Sequence, residues 1–106
     1  MKYAILIYSA EEGPADPDDR AVYMELSERG STVGGAQLQP VATARSVRVE
    51  NGKPVVTDGP FAETKEVLGG FYLFEADGLD AALDVAARVP AARLGGAVEV
   101  RPLVER

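Results

Sequence analysis

Val67-Leu68-Gly69-Gly70-Phe71-Tyr72-Leu73-Phe74-Glu75 is the stretch on which the fold turns, and Lys2-Tyr3-Ala4-Ile5-Leu6-Ile7-Tyr8 is its counterpart at the start of the chain. Both alternate like strands, yet both faces of each are apolar. Phe71 and Leu73 oppose Tyr72 and Phe74, while Tyr3, Ile5 and Ile7 oppose Ala4, Leu6 and Tyr8. Strands of this kind lie centrally in a sheet that is covered on two sides.

Between these two strands, residues 9–16 are small, acidic and carry Gly and Pro, as a loop does. Asp16-Pro17-Asp18-Asp19 reads as a helix start, with Asp16 as N-cap, Pro17 in the first turn and acids at the positive end of the dipole. Val22, Tyr23 and Leu26 form its apolar stripe, and Gly30 ends the helix at about residue 29. Residues 32–39 read as a strand in which Gly34-Gly35 marks a bulge or a close backbone approach, and Pro40 stops it. Residues 43–50 and 55–57 form a hairpin around Asn51-Gly52. Asp58-Gly59-Pro60-Phe61 is a turn, and the charged run Glu63-Thr64-Lys65-Glu66 follows it.

Beyond residue 75 a second helix is predicted, capped by Asp77, with Leu79, Ala82, Leu83, Ala86 and Val89 on its apolar face. Pro90 breaks it, Gly95-Gly96 turns the chain, and residues 97–102 close as a strand. With the hairpin set aside, the order is βαββαβ, the α+β ferredoxin-like plan of an antiparallel sheet with helices on one face. That plan leaves one sheet face bare although its strands are apolar on both sides. The cover expected from so short a chain is a second copy, giving a homodimer.

Composition narrows the chemistry. The 106 residues are enough for one domain and carry 11 Lys+Arg against 17 Asp+Glu, a net charge of −6, with no Cys, His or Trp. No disulfide framework, thiolate nucleophile, thiolate zinc site or Fe–S cluster is possible without Cys. Without His there is no imidazole acid or base, no Ser-His-Asp triad and no His-ligated haem or iron. Only an all-oxygen metal site stays open, and the acidic stretch from Glu11 to Asp19 lacks the calcium-loop pattern. No cofactor is expected. The acidic balance argues against nucleic acid, and no apolar run reaches the ~20 residues of a membrane span. The first residues lack a signal-peptide pattern, so the expected location is cytoplasmic.

Residues 56–66, followed by Leu68-Gly69-Gly70-Phe71-Tyr72, resemble the DGPF-domain branch of the YCII-related family. The opening Lys2-Tyr3 strand, Val33-Gly34-Gly35 leading to Leu38-Gln39-Pro40, Pro90-Ala91-Ala92-Arg93 and Val98-Glu99-Val100-Arg101-Pro102 extend the likeness over nearly the whole chain. The resemblance implies a dimeric α+β barrel built from ferredoxin-like protomers. It also implies, for some relatives, acid/base work by a His–Asp pair, and for many bacterial members a genomic place beside extracytoplasmic-function sigma factors. Two departures stand out: the segment before Gly30 is shorter than is usual, and the absent His rules out that pair here.

Candidate site residues follow from these readings. Asp58 is either a general base, if burial raises its pKa, or a turn residue whose carboxylate bonds nearby backbone N–H groups. Tyr8 ends the first strand, where its hydroxyl can orient a ligand. Lys65 is a candidate anchor for a substrate carboxylate, Glu63 an acid, and Arg45 a forked anion anchor, with Arg48 and Arg101 as further strand cations. Phe61 is an apolar anchor beside them. Two functions remain open on these residues. One is cofactor-independent acid/base chemistry, of lyase or isomerase type, on a small organic molecule. The other is a non-catalytic module for a small anionic ligand or a regulatory partner, associated with a sigma-factor system. A pocket between sheet and helices is expected in either case.

Overall fold

The computed structural model describes residues 1–10, 17–60 and 65–105. The elements run β1 (Lys2–Ser9), α1 (Pro17–Glu28), β2 (Thr32–Gln37), β3 (Arg45–Glu50), β4 (Lys53–Asp58), β5 (Val67–Glu75), α2 (Leu79–Ala86), α3 (Pro90–Arg93) and β6 (Ala97–Pro102). A single 3-10 turn over Val41–Thr43 precedes β3. Four strands form an antiparallel sheet in the order β2-β5-β1-β6, and β3 pairs only with β4 as a separate ribbon. This is the α+β ferredoxin-like arrangement with an inserted hairpin.

The central pair is the one its double-sided patterning requires. β1 runs between β5 and β6, with Ile5 opposite Tyr72 and Val100 and Ile7 opposite Gly70 and Val98. Tyr3, Ile5, Ile7 and Phe74 are buried on one face, where Leu26 of α1, Ala82 and Ala86 of α2, Val89 and Ala91 meet them. Val22, Tyr23, Tyr72, Val98 and Val100 pack around that cluster. Burying each large side chain of this kind contributes about 1.5–3 kcal/mol, so the layer between sheet and helices is where the fold draws its stability.

Local chemistry sets the connections. Thr32 Oγ1 donates to the Leu26 carbonyl at 2.6 Å, and Thr32 N–H donates to the Arg29 carbonyl at 3.0 Å, fastening the end of α1 to the start of β2. The Gly34-Gly35 pair does both things its sequence suggested. The register shifts between Thr32 and Gly34, and Gly35, at φ 141°, lies so near β5 that a Cβ would stand 2.4 Å from the Phe71 carbonyl oxygen. Asn51 (φ 52°) and Gly52 (φ 76°) make the expected tight hairpin turn.

Three expectations change. Asp77 does not cap α2: Gly78 holds the N-cap position in extended backbone, and no side chain bonds into the first turn. The second helix is two pieces, because Pro90 opens α3 as its first residue instead of only ending α2. Its apolar stripe is also narrower, with Ala82, Ala86 and Val89 buried while Leu79 and Leu83 are exposed. Small residues at positions i and i+4 let the helix settle close to the sheet, and Leu83 is left on the flank. The expected Asp16 cap lies outside the described residues.

One surface contact ties the helices together: Arg88, after α2, donates to both carboxylate oxygens of Glu25 in α1, at 2.8 and 2.7 Å. The hydrogen bond from Arg88 holds the Glu25 carboxyl below its ordinary value of 4.5, against a smaller desolvation effect and with help from the Arg88 and Arg29 charges. A carboxyl lowered on folding stabilises the protein above its unfolded pKa, and this contribution is lost as pH falls through the folded value. The stability gap between wild type and Glu25→Gln should therefore be present at neutral pH and close in acid; a gap that persists below that range would contradict the contact. For the sheet, Gly35→Ala should destabilise by about 3 kcal/mol or more in denaturant unfolding, since strain and overpacking combine. Gly34→Ala, whose Cβ would meet only the Leu73 side chain at 3.4 Å, should cost about 1 kcal/mol or less.

Candidate functional site

The expected pocket between sheet and helices is absent among the described residues, because that layer is filled by the core just described. Two surface depressions lie among the described residues, one along α1 (Ala21, Met24, Glu25, Glu28, Arg29) and one at the termini (Met1, Lys2, Glu75, Leu103, Val104, Glu105). Neither contains a residue predicted for the site.

Asp58 is the last residue of β4 and sits opposite Arg45, the first of β3. Arg45 Nε stands 3.1 Å from Asp58 Oδ1, with the Asp58 side chain 90% exposed. Among the described residues its carboxylate meets Arg45. The turn is closed by the backbone instead: Gly59 N–H donates to the Ala44 carbonyl at 2.9 Å, and Ser46 Oγ donates to the Gly59 carbonyl at 2.8 Å. Gly59 takes the positive φ (97°) expected of an Asp-Gly turn. Arg45 also donates from Nη1 to the Ala44 carbonyl at 2.8 Å, so its guanidinium is engaged twice. Lys65 is exposed on the bend before β5. Among the described residues no hydrogen bond or ion pair joins Tyr8 or Lys65 to Asp58. Phe61 and Glu63 lie outside the described residues.

Tyr8 belongs to a different surface. It is paired with Leu68 and Ala97, and alternation puts it with Ala4 and Leu6 on the sheet face turned away from the helices. Phe71 and Leu73 of β5 share that face, as partners of Leu6 and Ala4. All five are half-buried by their neighbours, and among the described residues no helix lies over them.

Two charged residues stand in this apolar field. Glu99 and Arg101 of β6 are the partners of Leu6 and Ala4, and they point away from the helices because Val98 and Val100 point toward them. Arg101 Nη2 approaches Glu99 Oε2 to 2.5 Å. Oε2 is shielded from solvent and takes no well-angled hydrogen bond, so the contact is an ion pair, with the Arg101 side chain 70% and the Glu99 side chain 40% exposed. Tyr8 lies one diagonal step from Glu99 along the same face, a spacing of about 7–8 Å that long side chains bridge. A hydroxyl, a carboxylate and a guanidinium thus share one apolar sheet face. Glu99 was not among the expected candidates; its sequence signal, a carboxylate on the strand phase opposite Val98 and Val100, becomes telling only once the face that lacks helices is known.

On the helical side, Tyr72 Oη donates to the Tyr23 carbonyl at 2.8 Å. Burial raises the pKa of both phenols; a hydrogen bond from the Ala91 backbone opposes the shift at Tyr23, and Tyr23 adds to it at Tyr72. These groups support packing. Among the described residues no three metal-ligating side chains gather, and no helix is long and apolar enough to cross a membrane.

The YCII-related domain family matches residues 1–106 of the chain. An uncharacterized protein of Rhizobium meliloti (strain 1021) is 40% identical over 114 residues, spanning 97% of this chain and 92% of that protein. The chain belongs to the YCII-related family. Neither finding carries a particular reaction or a link to a sigma factor.

Because the Arg45–Asp58 pair is solvated, Asp58→Asn and Arg45→Ala should each leave the thermal midpoint within about 3 °C of wild type. A larger loss in a melting experiment would show that the pair supports more than the base of the hairpin.

Proposed function

We propose that this YCII-related chain works as a two-fold dimer that closes its open sheet faces against each other and binds a small organic acid beside them. The carrying observation is the apolar face of Ala4, Leu6, Phe71 and Leu73, with Tyr8, Glu99 and Arg101 set into it. Water is a poor neighbour for such a face, and an isologous contact covers both copies at once. Arg101 supplies a fork for a carboxylate, and Tyr8 a directed hydroxyl at the end of the same strand pair. In this reading the chain is a ligand-binding module, and Asp58 with Arg45 is structural.

One observation favours a catalytic second reading, acid/base chemistry of lyase or isomerase type. Glu99 Oε2 is already out of solvent in the single chain. Covering the face would remove more water from the carboxylate, and a desolvated carboxylate is the kind of group that serves as a general base. Tyr8 would then be the matching proton donor, and Glu99, in place of Asp58, the general base.

Sedimentation at micromolar concentration should report a species of twice 11.2 kDa, and Leu6→Lys should return it to the single-chain mass. A wild-type monomer would refute the dimer. A thermal-shift screen over small carboxylic acids and lactones should find stabilising members whose effect is lost in Arg101→Ala. No stabilisation by any of them would refute the organic-acid site. Proton exchange from the carbon next to a bound carboxylate, lost in Glu99→Gln while binding persists, would move the assignment to the catalytic reading.

A further inference from the structure

The ribbon of β3 and β4 is exposed along its length, and only Ser46 among its strand residues is half-buried. Its register places Val47 opposite Val56 and Val49 opposite Pro54 on one face, with Arg45 and Asp58 at the base of that face. Val47, Val49 and Val56 are 62%, 70% and 62% exposed. A two-stranded hairpin alone is marginal in water, and among the described residues no helix or other strand makes more than a slight contact with this one. The ribbon also extends the chain: the radius of gyration is 15.4 Å, against about 13 Å for a compact domain of this length.

We infer that this hairpin is an arm whose valine face clasps the body of a second copy of the chain. The inference rests on the dimer proposed above and adds a second contact to it. Two observations select a second copy as the occupant. The first is charge. Residues 45–58 carry three cations (Arg45, Arg48, Lys53) against two carboxylates (Glu50, Asp58), a net +1 within a chain of −6, so the rest bears −7. The valine face itself is neutral, with Arg45 beside Asp58, and the excess cation lies on the other face with Arg48, Lys53 and Glu50. It is therefore the arm as a whole that the acidic body of another copy complements.

The second is area. Four strands at normal spacing give the open sheet face a footprint of roughly 450 Å². A standard complex takes about 800 Å² from each partner, so the sheet face alone falls short. One face of the arm has a footprint of roughly 190 Å². In a two-fold dimer every protomer both gives an arm and receives one, so the arm counts twice and brings the total near the standard size.

The test compares wild type with Val47→Thr/Val49→Thr/Val56→Thr, which keeps β-branched shape while removing apolar area. Analytical ultracentrifugation should give a dimer dissociation constant at least tenfold higher for the variant, with an unchanged far-UV spectrum. Hydrogen exchange of the wild-type chain supplies a readout that does not depend on how the variant folds. Amides of residues 46–57 should be protected at concentrations where the dimer forms and exchange fast on dilution. An unchanged dissociation constant, or arm amides that exchange equally fast at both concentrations, overturns the arm while the sheet-face dimer stands. A wild-type chain that is monomeric throughout overturns both. A wild-type dimer that survives Leu6→Lys but not the valine variant leaves the arm standing and removes the sheet-face contact.

Discussion

The structure depends on β1 being apolar on both sides. Tyr3, Ile5 and Ile7 hold α1, α2 and α3 to the sheet, and the same strand presents Ala4, Leu6 and Tyr8 to the opposite side. A ferredoxin-like chain has helices for only one of these faces. The covered side is packed and carries stability, and the uncovered side is the surface on which the proposed function rests.

Much of this was legible in the sequence wherever a short-range rule applied. The period-2 reading of residues 2–8 and 67–75 gave the central strands, their two faces and the bare side. Asn51-Gly52 gave the hairpin, and Gly34-Gly35 gave both a register shift and a close approach. Where the reading missed, two local signals competed and tertiary packing chose between them. Asp77 is a good cap residue, but the helix begins after Gly78, so its side chain is one position too early. Pro90 can end a helix or begin one, and which it does depends on whether Val89 is free to lie extended, as it is here.

The candidate site was less legible, for a reason that belongs to motifs in general. Asp58-Gly59-Pro60 is conspicuous as a string, which drew attention to the Asp58 carboxylate. The fold places that carboxylate at the rim of an exposed ribbon, satisfied by Arg45. The conspicuous part of the motif is its turn geometry, carried by Gly59, whose N–H donates to the Ala44 carbonyl and whose carbonyl accepts from Ser46 Oγ. Glu99 belongs to no such string. It stands out only once strand phase is combined with knowledge of which face lacks helices, and the second of these is a tertiary fact.

A chain without His or Cys has a short list of groups able to move protons near neutrality, and carboxylates lead it. In water a carboxylate is a weak base; removal from solvent strengthens it, whereas a close cation works the other way. Asp58, solvated at the hairpin base and paired with Arg45, is not removed from solvent in the single chain. Glu99 has one shielded oxygen, with Arg101 two residues on along the same strand as its ion-pair partner. What it lacks is a cover. Assembly and chemistry are therefore a single question for this protein, since the contact that would hide the apolar face is the same contact that would desolvate Glu99.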